Sequence, residues 1–490
     1  MTARVLGLDI GTTAVKAIAL DEVGRAVATA SVAHDGHTPH PGWAEGDPER
    51  WWANAVEAMR RLRAETPLDG VGMVGVSGMV PALICLDAAG RVLRPSIQQN
   101  DARTSAEIVA LRASLSAGDF LAATGQPISQ QLVLPRLLWL RRHEPDVYRR
   151  IDRLLGSYDL VTHRLTGEWS LERNWALESG FWDGRRHGWY EPAFAAVGTP
   201  EAWLPPVRAA HEVVGAVTPA AAASTGLRAG TPVIAGSADH VAAALAAGSG
   251  PGELVLKIGG GGDVLYGVDR FAPDPRLFID YHDVPDRFLL NGCMAASGLL
   301  VKWFAEVFAP DLGSGEDRYA RLDAEAAPTP PGADGLVVLP YFLGEKTPIF
   351  DADARGMISG LTLGHRRAHL FRAMLEAVAY GFRHHVDVLV EGGHAIRSIR
   401  IMDRGARSPL WRQIVADVLG RSIEYAPGAD LGSAFGVAWV AGVALGAWGW
   451  SRPREPAGAV HHAVPERTAR YDTLYRRYRE LGGVSTGGHT

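Results

Sequence analysis

The sequence predicts an α/β protein of two domains, and three observations carry that reading. Short apolar runs of strand length alternate with segments whose apolar residues recur three and four apart, the mixture that marks α/β chains. Each half opens with a strand that leads into a glycine-containing turn: Val5-Leu6-Gly7-Leu8-Asp9-Ile10 runs into Gly11-Thr12-Thr13, and residues 254–258 run into Gly259-Gly260-Gly261-Gly262. The length of 490 residues is about three domain lengths, and Pro251-Gly252-Glu253 breaks the chain before the second of these strands. The boundary is therefore placed near residue 247, with domains of 1–246 and 247–490.

The elements follow in order. After the first strand and its turn, residues 15–20 return as a second strand and residues 26–33 form a third, so an antiparallel meander starts the fold. Asp47-Pro48-Glu49 is an acidic entry to a helix over 51–64, and the apolar run 71–76 reads as a buried strand. Residues 83–86 and 91–93 around Asp87-Ala88-Ala89-Gly90 predict a hairpin, and the spacing predicts helices over 132–142 and 152–165. Val233-Ile234-Ala235-Gly236 leads through Ser237-Ala238-Asp239-His240 into a helix over 241–247. The second half carries a long helix over 368–390 stopped by Gly392-Gly393, a strand at 399–402, a helix over 410–419, and a last helix with Tyr471, Leu474, Tyr475 and Tyr478. Residues from Gly482 onward are expected to be disordered.

Composition narrows the function. Hydrophobic residues make up 47% and charged residues 21%, ordinary for a globular protein. Lys plus Arg number 49 against 54 Asp plus Glu, and a formal charge of -5 argues against a protein that binds by neutralising phosphates. No nucleic-acid partner is expected on that ground. Cys85 and Cys293 form no disulfide framework and no metal spacing, and the N-terminus shows no signal-peptide pattern, so a cytoplasmic location is expected. Residues 431–450 carry no charge, but five glycines make them poorly hydrophobic. They are read as a buried helix whose small residues admit another backbone, and no membrane partner is expected.

Several residues offer chemistry. Asp9 at a strand end precedes a turn with a glycine and two hydroxyls. Its backbone amides suit phosphate, its carboxylate suits hydrated Mg²⁺, and Lys16 adds a cation; an ordinary hairpin explains the same residues. The four glycines at 259–262 let backbone approach a phosphate and also read as a plain flexible turn. Asp239 between a strand and an Ala-rich helix is placed for a general base or for a helix cap. Asn100-Asp101-Ala102-Arg103 is a polar group suited to sugar hydroxyls or to a helix start. The histidines show no metal spacing, and neither a P-loop nor a Gly-x-Gly-x-x-Gly helix entry occurs.

Taken in order, these motifs resemble the FGGY carbohydrate kinases, with a xylulokinase-like arrangement. The resemblance runs from Val5 to about Leu445. It rests on residues 7–13; Val76-Ser77-Gly78 with Leu86-Asp87 and residues 90–95; Asn100-Asp101-Ala102-Arg103; Ala235-Gly236-Ser237-Ala238-Asp239; residues 341–348; Asp353-Ala354-Arg355-Gly356 with Gly360-Leu361-Thr362; and residues 405–411. It implies an actin-like, ribonuclease-H-like ATPase fold, two α/β domains hinged around a cleft, with sugar against the first and ATP and Mg²⁺ mainly against the second. By the same resemblance Asp239 is the general base toward the sugar hydroxyl, and Asp9 positions Mg²⁺ through water. Gly11, Thr12, Thr13 and Lys16 face the phosphates from one side and Gly259 and Gly260 from the other. Arg404, Gly405, Ala406 and Ser408 fall beside the nucleotide, and Val80, Pro81, Gln99, Asn100, Asp101, Gln131, Asp239 and His240 beside the sugar.

Two departures bear on substrate and nucleotide. Xylulokinases carry Gln-Met-His-Gly after the first Ser-Gly, whereas this chain has Met79-Val80-Pro81-Ala82, so the usual polar handle is absent and Gln98, Gln99, Gln130 and Gln131 offer amides instead. The family's Gly-Gly before Ala is here Asp403-Arg404-Gly405, so a bulky cation replaces a glycine, and Arg404 has the chemistry to stack on adenine, reach a phosphate or obstruct. The reading is an ATP-dependent kinase of a ketopentose such as xylulose, or of a related pentitol or small polyol. The alternative is a weak or inactive member that binds sugar or nucleotide as a regulator, which Arg404 favours. A small sugar or polyol is the expected partner, and a homodimer is admitted.

Overall fold

The computed structural model describes residues 4–40, 42–425, 432–451 and 458–483. Its principal strands, numbered here in chain order, are β1 (Val5–Ile10), β2 (Ala14–Leu20), β3 (Ala26–Ala33), β4 (Met73–Gly78), β5 (Val213–Ala216), β6 (Pro232–Ile234) and β7 (Ser237–Ala238). They continue with β8 (Glu253–Ile258), β9 (Gly262–Val268), β10 (Phe278–Tyr281), β11 (Phe288–Met294), β12 (Ser398–Met402), β13 (Ile423–Tyr425) and β14 (Ala459–His461). The helices that matter below are α1 (Pro48–Glu65), α2 (Val133–His143), α3 (Ser157–Thr166), α4 (Arg173–Ser179), α5 (Asp239–Ala246), α6 (Gly298–Phe308), α7 (Arg367–Glu391), α8 (Pro409–Leu419), α9 (Gly432–Ala444) and α10 (Pro465–Leu481).

The chain folds into two compact units. One comprises Met1–Gly248, Val268–Leu289 and Leu431–Pro453, and the other Ser249–Gly267, Leu290–Asp430 and Arg454–Thr490. The chain thus first leaves one unit for the other at Gly248 and Ser249, and two later segments return to the first.

The first unit is built on a sheet in the order β5-β6-β4-β1-β2-β3, with β7 also paired to β4. β1, β2 and β3 form the expected antiparallel meander, whereas β1 runs parallel to β4, and β4 parallel to β7. All six residues of β1 and of β4 are buried, as continuous apolar runs in a covered sheet require. α1 starts where Asp47 accepts the Glu49 N–H at 3.0 Å, with Pro48 at its first position, and it packs Trp51, Ala55, Met59 and Leu62 inward.

α9 crosses the parallel strands on glycine. A Cβ added to Gly7 of β1 would stand 2.2 Å from the Ala434 carbonyl oxygen, and one on Gly75 of β4 would stand 2.7 Å from that of Val437. The helix is therefore a core element, with Ala434, Val437, Ala438, Val440 and Ala441 in one cluster with Val5, Ile18, Ile234, Ala242 and Leu245. Leu431, and Asp430 and Arg452 that flank the uncharged stretch, lie outside the described residues. Among the described residues no helix is long and apolar enough to cross a membrane.

In the second unit the strands run in the order β11-β9-β8-β12-β13-β14. β8 and β9 form the hairpin around residues 259–261, and β8 is parallel to β12. α7 supplies the longest buried stripe, including Phe371, Met374, Leu375, Val378, Phe382 and Leu389.

Two local expectations change. Residues 152–165 are not one helix: Arg153–Leu155 is a strand paired antiparallel with Ile84–Leu86, and α3 starts after Gly156, whose N–H is held by Asp159 Oδ2 at 2.9 Å. The ladder partner won over helical spacing because Ile84–Leu86 lies buried and needs its backbone paired. The turn at Gly90 does close, with Leu93 N–H donating to Cys85 at 2.9 Å, but it adds only a bridge between Leu86 and Val92. At the other end of the chain Gly482 and Gly483 form a turn on α10, and residues 484–490, where disorder was expected, lie outside the described residues.

Candidate active site

Three parallel strands bring the first candidate residues to one end of a sheet. Asp9 pairs in register with Ser77, and Ser77 with Ser237; one step on, Ile10 pairs with Gly78 and Gly78 with Ala238. The residues that follow these strands are therefore neighbours: the turn Gly11-Thr12-Thr13 after β1, residues 79–82 after β4, and Asp239 after β7. The carboxyl ends of parallel strands are where open α/β sheets gather their ligand sites.

Asp9 is buried, and its antiparallel register partner is Lys16, so the carboxylate and the ammonium share one face of the hairpin. Thr12 and Thr13 are exposed. The turn is fixed by Gly11 N–H donating to Ala14 at 3.1 Å, by His34 N–H donating to Thr13 at 2.9 Å, and by His34 Nε2 at 3.1 Å from the Gly11 carbonyl. Gly11 keeps the space in front of Asp9 clear: a Cβ there would meet Ala14 O at 2.9 Å and Asp9 Oδ2 at 3.8 Å.

Asp239 opens α5, and its side chain remains 33% exposed in an otherwise buried helix. Its Oδ1 accepts the His240 N–H at 2.7 Å, so the carboxylate serves the helix start while keeping an accessible oxygen. His240 is buried, with Nε2 2.9 Å from Asp280 Oδ2 and 4.0 Å from Glu178 Oε1. Burial favours the neutral ring, but the carboxylates of Asp280, Asp239 and Glu178 outweigh it and hold His240 well above the usual histidine range. Glu178 is pushed well up by burial and by Asp280. Behind them, Ser237 Oγ donates to Asp283 at 2.8 Å, and burial raises Asp283 to about 7.

The sugar-side segments are held rigidly. Met79 O accepts from Ser157 Oγ at 2.8 Å, Pro81 O from the Arg136 guanidinium at 2.5 Å, and Ala82 O from Trp175 Nε1 at 2.9 Å. The same guanidinium donates to Gln131 O at 2.8 Å and to Gln130 O at 3.2 Å, so Arg136 ties the Val80-Pro81 segment to the Gln131 segment. Arg136 is fully buried, which lowers its pKa to about 10. Gln98 and Gln131 are buried, Gln99 half-buried and Asn100 exposed; both amide atoms of Gln98 and the Oε1 atoms of Gln99 and Gln131 have no hydrogen-bond partner among the described residues. Asp101 differs. Its Oδ2 accepts from Ala44 N at 2.6 Å, and both oxygens accept from Arg103, so its carboxylate is spent on the fold.

In the second unit the turn at 259–261 and the segment 403–408 follow adjacent parallel strands, β8 and β12. Gly260 O accepts from the N–H groups of Ser297 and Leu299, and Gly259 O from that of Gly298, at the start of α6. Asp403 stands beside the turn: a Cβ on Gly259 would lie 2.9 Å from its Oδ2. Arg404 is exposed at the head of the short 3-10 turn Arg404–Arg407. Gly405 is a packing glycine, since a Cβ there would stand 2.1 Å from Ile258 Cγ2. Ala406 is fully buried, and Ser408 Oγ caps α8 by accepting from Trp411 N at 3.0 Å.

Comparison with known proteins decides the family. Residues 4–246 match the model of the N-terminal domain of the FGGY family of carbohydrate kinases, and residues 274–445 match that of its C-terminal domain. The chain is an FGGY carbohydrate kinase. It is 32% identical over 486 residues to a xylulose kinase of Escherichia coli (strain K12), covering 97% of this chain and 99% of that protein. It is 28% identical over 490 residues to a xylulose kinase of Bacillus subtilis (strain 168), covering 97% and 96%. Among solved structures it resembles the xylulose kinase from Rhodospirillum rubrum, at 46% identity and a TM-score of 0.87, with 98% of each chain covered. This FGGY kinase therefore has the family's two-domain α/β fold, and it is a sugar kinase.

Sequence reading of the kinase missed Glu178, Asp280 and Arg136. No motif carries them, because they meet through tertiary pairing alone: Asn174 on α4 accepts from Tyr281 N at 2.8 Å and donates to Tyr281 O at 3.0 Å, which brings Glu178 to the side of β10 that holds Asp280. Glu178, His240 and Asp280 have ligand atoms within 4.8 Å of one another, a grouping with the residue types of a cation site. The short contact from His240 to Asp280 already satisfies the ring.

Proposed function

We propose that this kinase transfers the γ-phosphoryl group of ATP to a hydroxyl of a ketopentose, xylulose in the first instance, with Asp239 as general base. The observation that carries the reading is the placement of Asp239: a partly exposed carboxylate that follows β7, at the end of the sheet where β1 delivers Asp9 and the Gly11 turn and β4 delivers residues 79–82. Phosphoryl transfer asks little covalent chemistry of a protein beyond a positioned base and stabilised phosphate charge.

Asp9 is assigned to the divalent cation that accompanies the nucleotide. The fit rests on the buried carboxylate and on the cleared space at Gly11. The bound cation would neutralise charge on the phosphates. Thr12 and Thr13 of that turn and Lys16 on β2 are assigned to the phosphates; within the second unit, Gly259, Gly260 and Arg404 are assigned to the nucleotide. Gly405, Ala406 and Ser408 shape the loop there through packing and capping.

Sugar recognition is assigned to Gln98, Gln99, Asn100 and Gln131, with Val80 and Pro81 as an apolar wall. Unpartnered amide atoms fit a polyhydroxylated ligand, since each would otherwise be buried at a cost of about 1–3 kcal/mol. The xylulose kinases among its relatives support a pentulose. The test is phosphoester formation from Mg-ATP with a panel of ketopentoses, pentitols, tetritols and hexonates. A ketopentose preferred in kcat/KM, and lost in Asp239→Asn, supports the proposal; turnover that survives Asp239→Asn rejects the base assignment.

A further inference from the structure

We propose that His240, tied through Nε2 to Asp280 and facing Asp239 through Nδ1, is a positioning residue that fixes which oxygen of Asp239 receives the sugar's proton. The inference rests on the assignment of Asp239 as base and deepens it.

The geometry is a line of three side chains. Asp280, fully buried on β10, lies 2.9 Å from His240 Nε2; His240 Nδ1 lies 3.5 Å from Asp239 Oδ1; and Asp239 is the exposed end. Oδ1 also accepts the His240 backbone N–H at 2.7 Å. One oxygen of the carboxylate is thus engaged twice by a single residue, and Oδ2 is left to meet a hydroxyl. Fixing a base to one atom and one direction is how a protein turns a nearby group into a positioned one.

The ring acts through its charge as well as its place. The elements packed around α5 present Glu178 from α4 and Asp280 from β10, with Asp283 just after β10. β4, β7 and the described residues of α9 carry no titratable side chain. The carboxylates of Asp280, Asp239 and Glu178 keep the ring protonated against its burial. An imidazolium 3.5 Å from Asp239 Oδ1 attracts the carboxylate and helps to hold it in one orientation. When Asp239 takes the hydroxyl proton as the new P–O bond forms and the bond to the ADP leaving oxygen breaks, no proton needs to reach His240.

Steady-state kinetics of the full chain with D-xylulose and Mg-ATP, at pH 5–9, test this on His240→Gln, Asp280→Asn and the double variant, with thermal melting to establish folding. Each single variant is expected to lose about ten- to a hundredfold in kcat, with sugar KM changed less than about threefold. The double variant should be no worse than the worse single. Wild-type kcat in folded His240→Gln overturns the proposal, as does a loss confined to sugar KM. Nitrogen-15 histidine spectra provide a readout on the unmutated chain: His240 must titrate above the other histidines, and a neutral ring at pH 7 rejects the mechanism. Activity in Asp239→Asn would instead sink the base assignment, whereas a dead Asp239→Asn beside a fully active His240→Gln sinks only the positioning role.

Discussion

Gly436 meets Ala242 so closely that a Cβ on the glycine would stand 1.9 Å from the alanine's carbonyl oxygen. The contact joins α9, from the far end of the sequence, to α5, the helix that begins at Asp239. Backbone touches backbone here, so no side chain can move aside to accept a methyl group.

Gly436→Ala is therefore expected to destabilise the first unit by about 1–3 kcal/mol, and to lower kcat by displacing the start of α5. Urea unfolding and turnover measure the two effects. Gly449→Ala is the control in the same segment, because a Cβ there meets nothing within 4 Å. Equal stability of the two variants would refute the close packing.

Arg136 leads to a second expectation. Its guanidinium spans Pro81 O and Gln131 O, a fork that lysine cannot reproduce from one ammonium. Arg136→Lys should raise the sugar KM about tenfold, equivalent to about 1.4 kcal/mol, and leave the ATP KM unchanged. Matched rises in both constants would show that Arg136 supports the whole unit and not the sugar segments.

Much of this was legible in the residues. The opening meander, the strand before Asp239, the glycine turn after β8 and the buried helix α9 all follow from short-range pattern, because apolar runs and glycine punctuation are local signals. The family motifs singled out Asp9 and Asp239 on the same basis. What stayed hidden depends on long-range pairing. Helical spacing over 152–165 could not reveal that Ile84–Leu86 claims Arg153–Leu155, and nothing near Asp101 shows that Arg103 and Ala44 consume its carboxylate. Glu178 and Asp280 read as ordinary acids until Asn174 brings their segments together.

Glu172 makes stability depend on pH. Its Oε2 accepts from the Tyr158 hydroxyl at 2.9 Å and from Asn174 N at 2.8 Å, yet burial, with Asp283 nearby, raises it to about 8. A carboxyl raised in the folded state binds its proton more tightly there than in the unfolded chain. Its contribution is complete below the ordinary glutamate range and is lost as pH rises toward about 8. Glu172→Gln should flatten the fall in the urea midpoint between pH 5 and 8, while Asp159 and Asp283, each raised to about 7, retain part of it. Parallel profiles for variant and wild type would remove Glu172 as a source.

Asp403 carries the last expectation. Its backbone lies at φ 76° and ψ 179°, a region that glycine alone occupies without strain, at a cost of about 1–3 kcal/mol for other residues. Its Oδ1 accepts from Arg404 N at 2.8 Å, and its Oδ2 faces Gly259 in the proposed phosphate turn. Asp403→Gly relieves the strain and removes a negative charge from beside the phosphates, at the loss of one exposed hydrogen bond. Stability should rise by about 1 kcal/mol, partly offset by the extra freedom of glycine in the unfolded chain. ADP should bind at least about threefold tighter, which is about 0.6 kcal/mol. The gain should be larger without Mg²⁺ than with it, because the cation already screens the phosphates from the carboxylate. Calorimetric titration with ADP in the presence and absence of Mg²⁺ measures both. Weaker binding in Asp403→Gly would show instead that the carboxylate helps to hold the nucleotide, through its cation or through the loop that Arg404 heads.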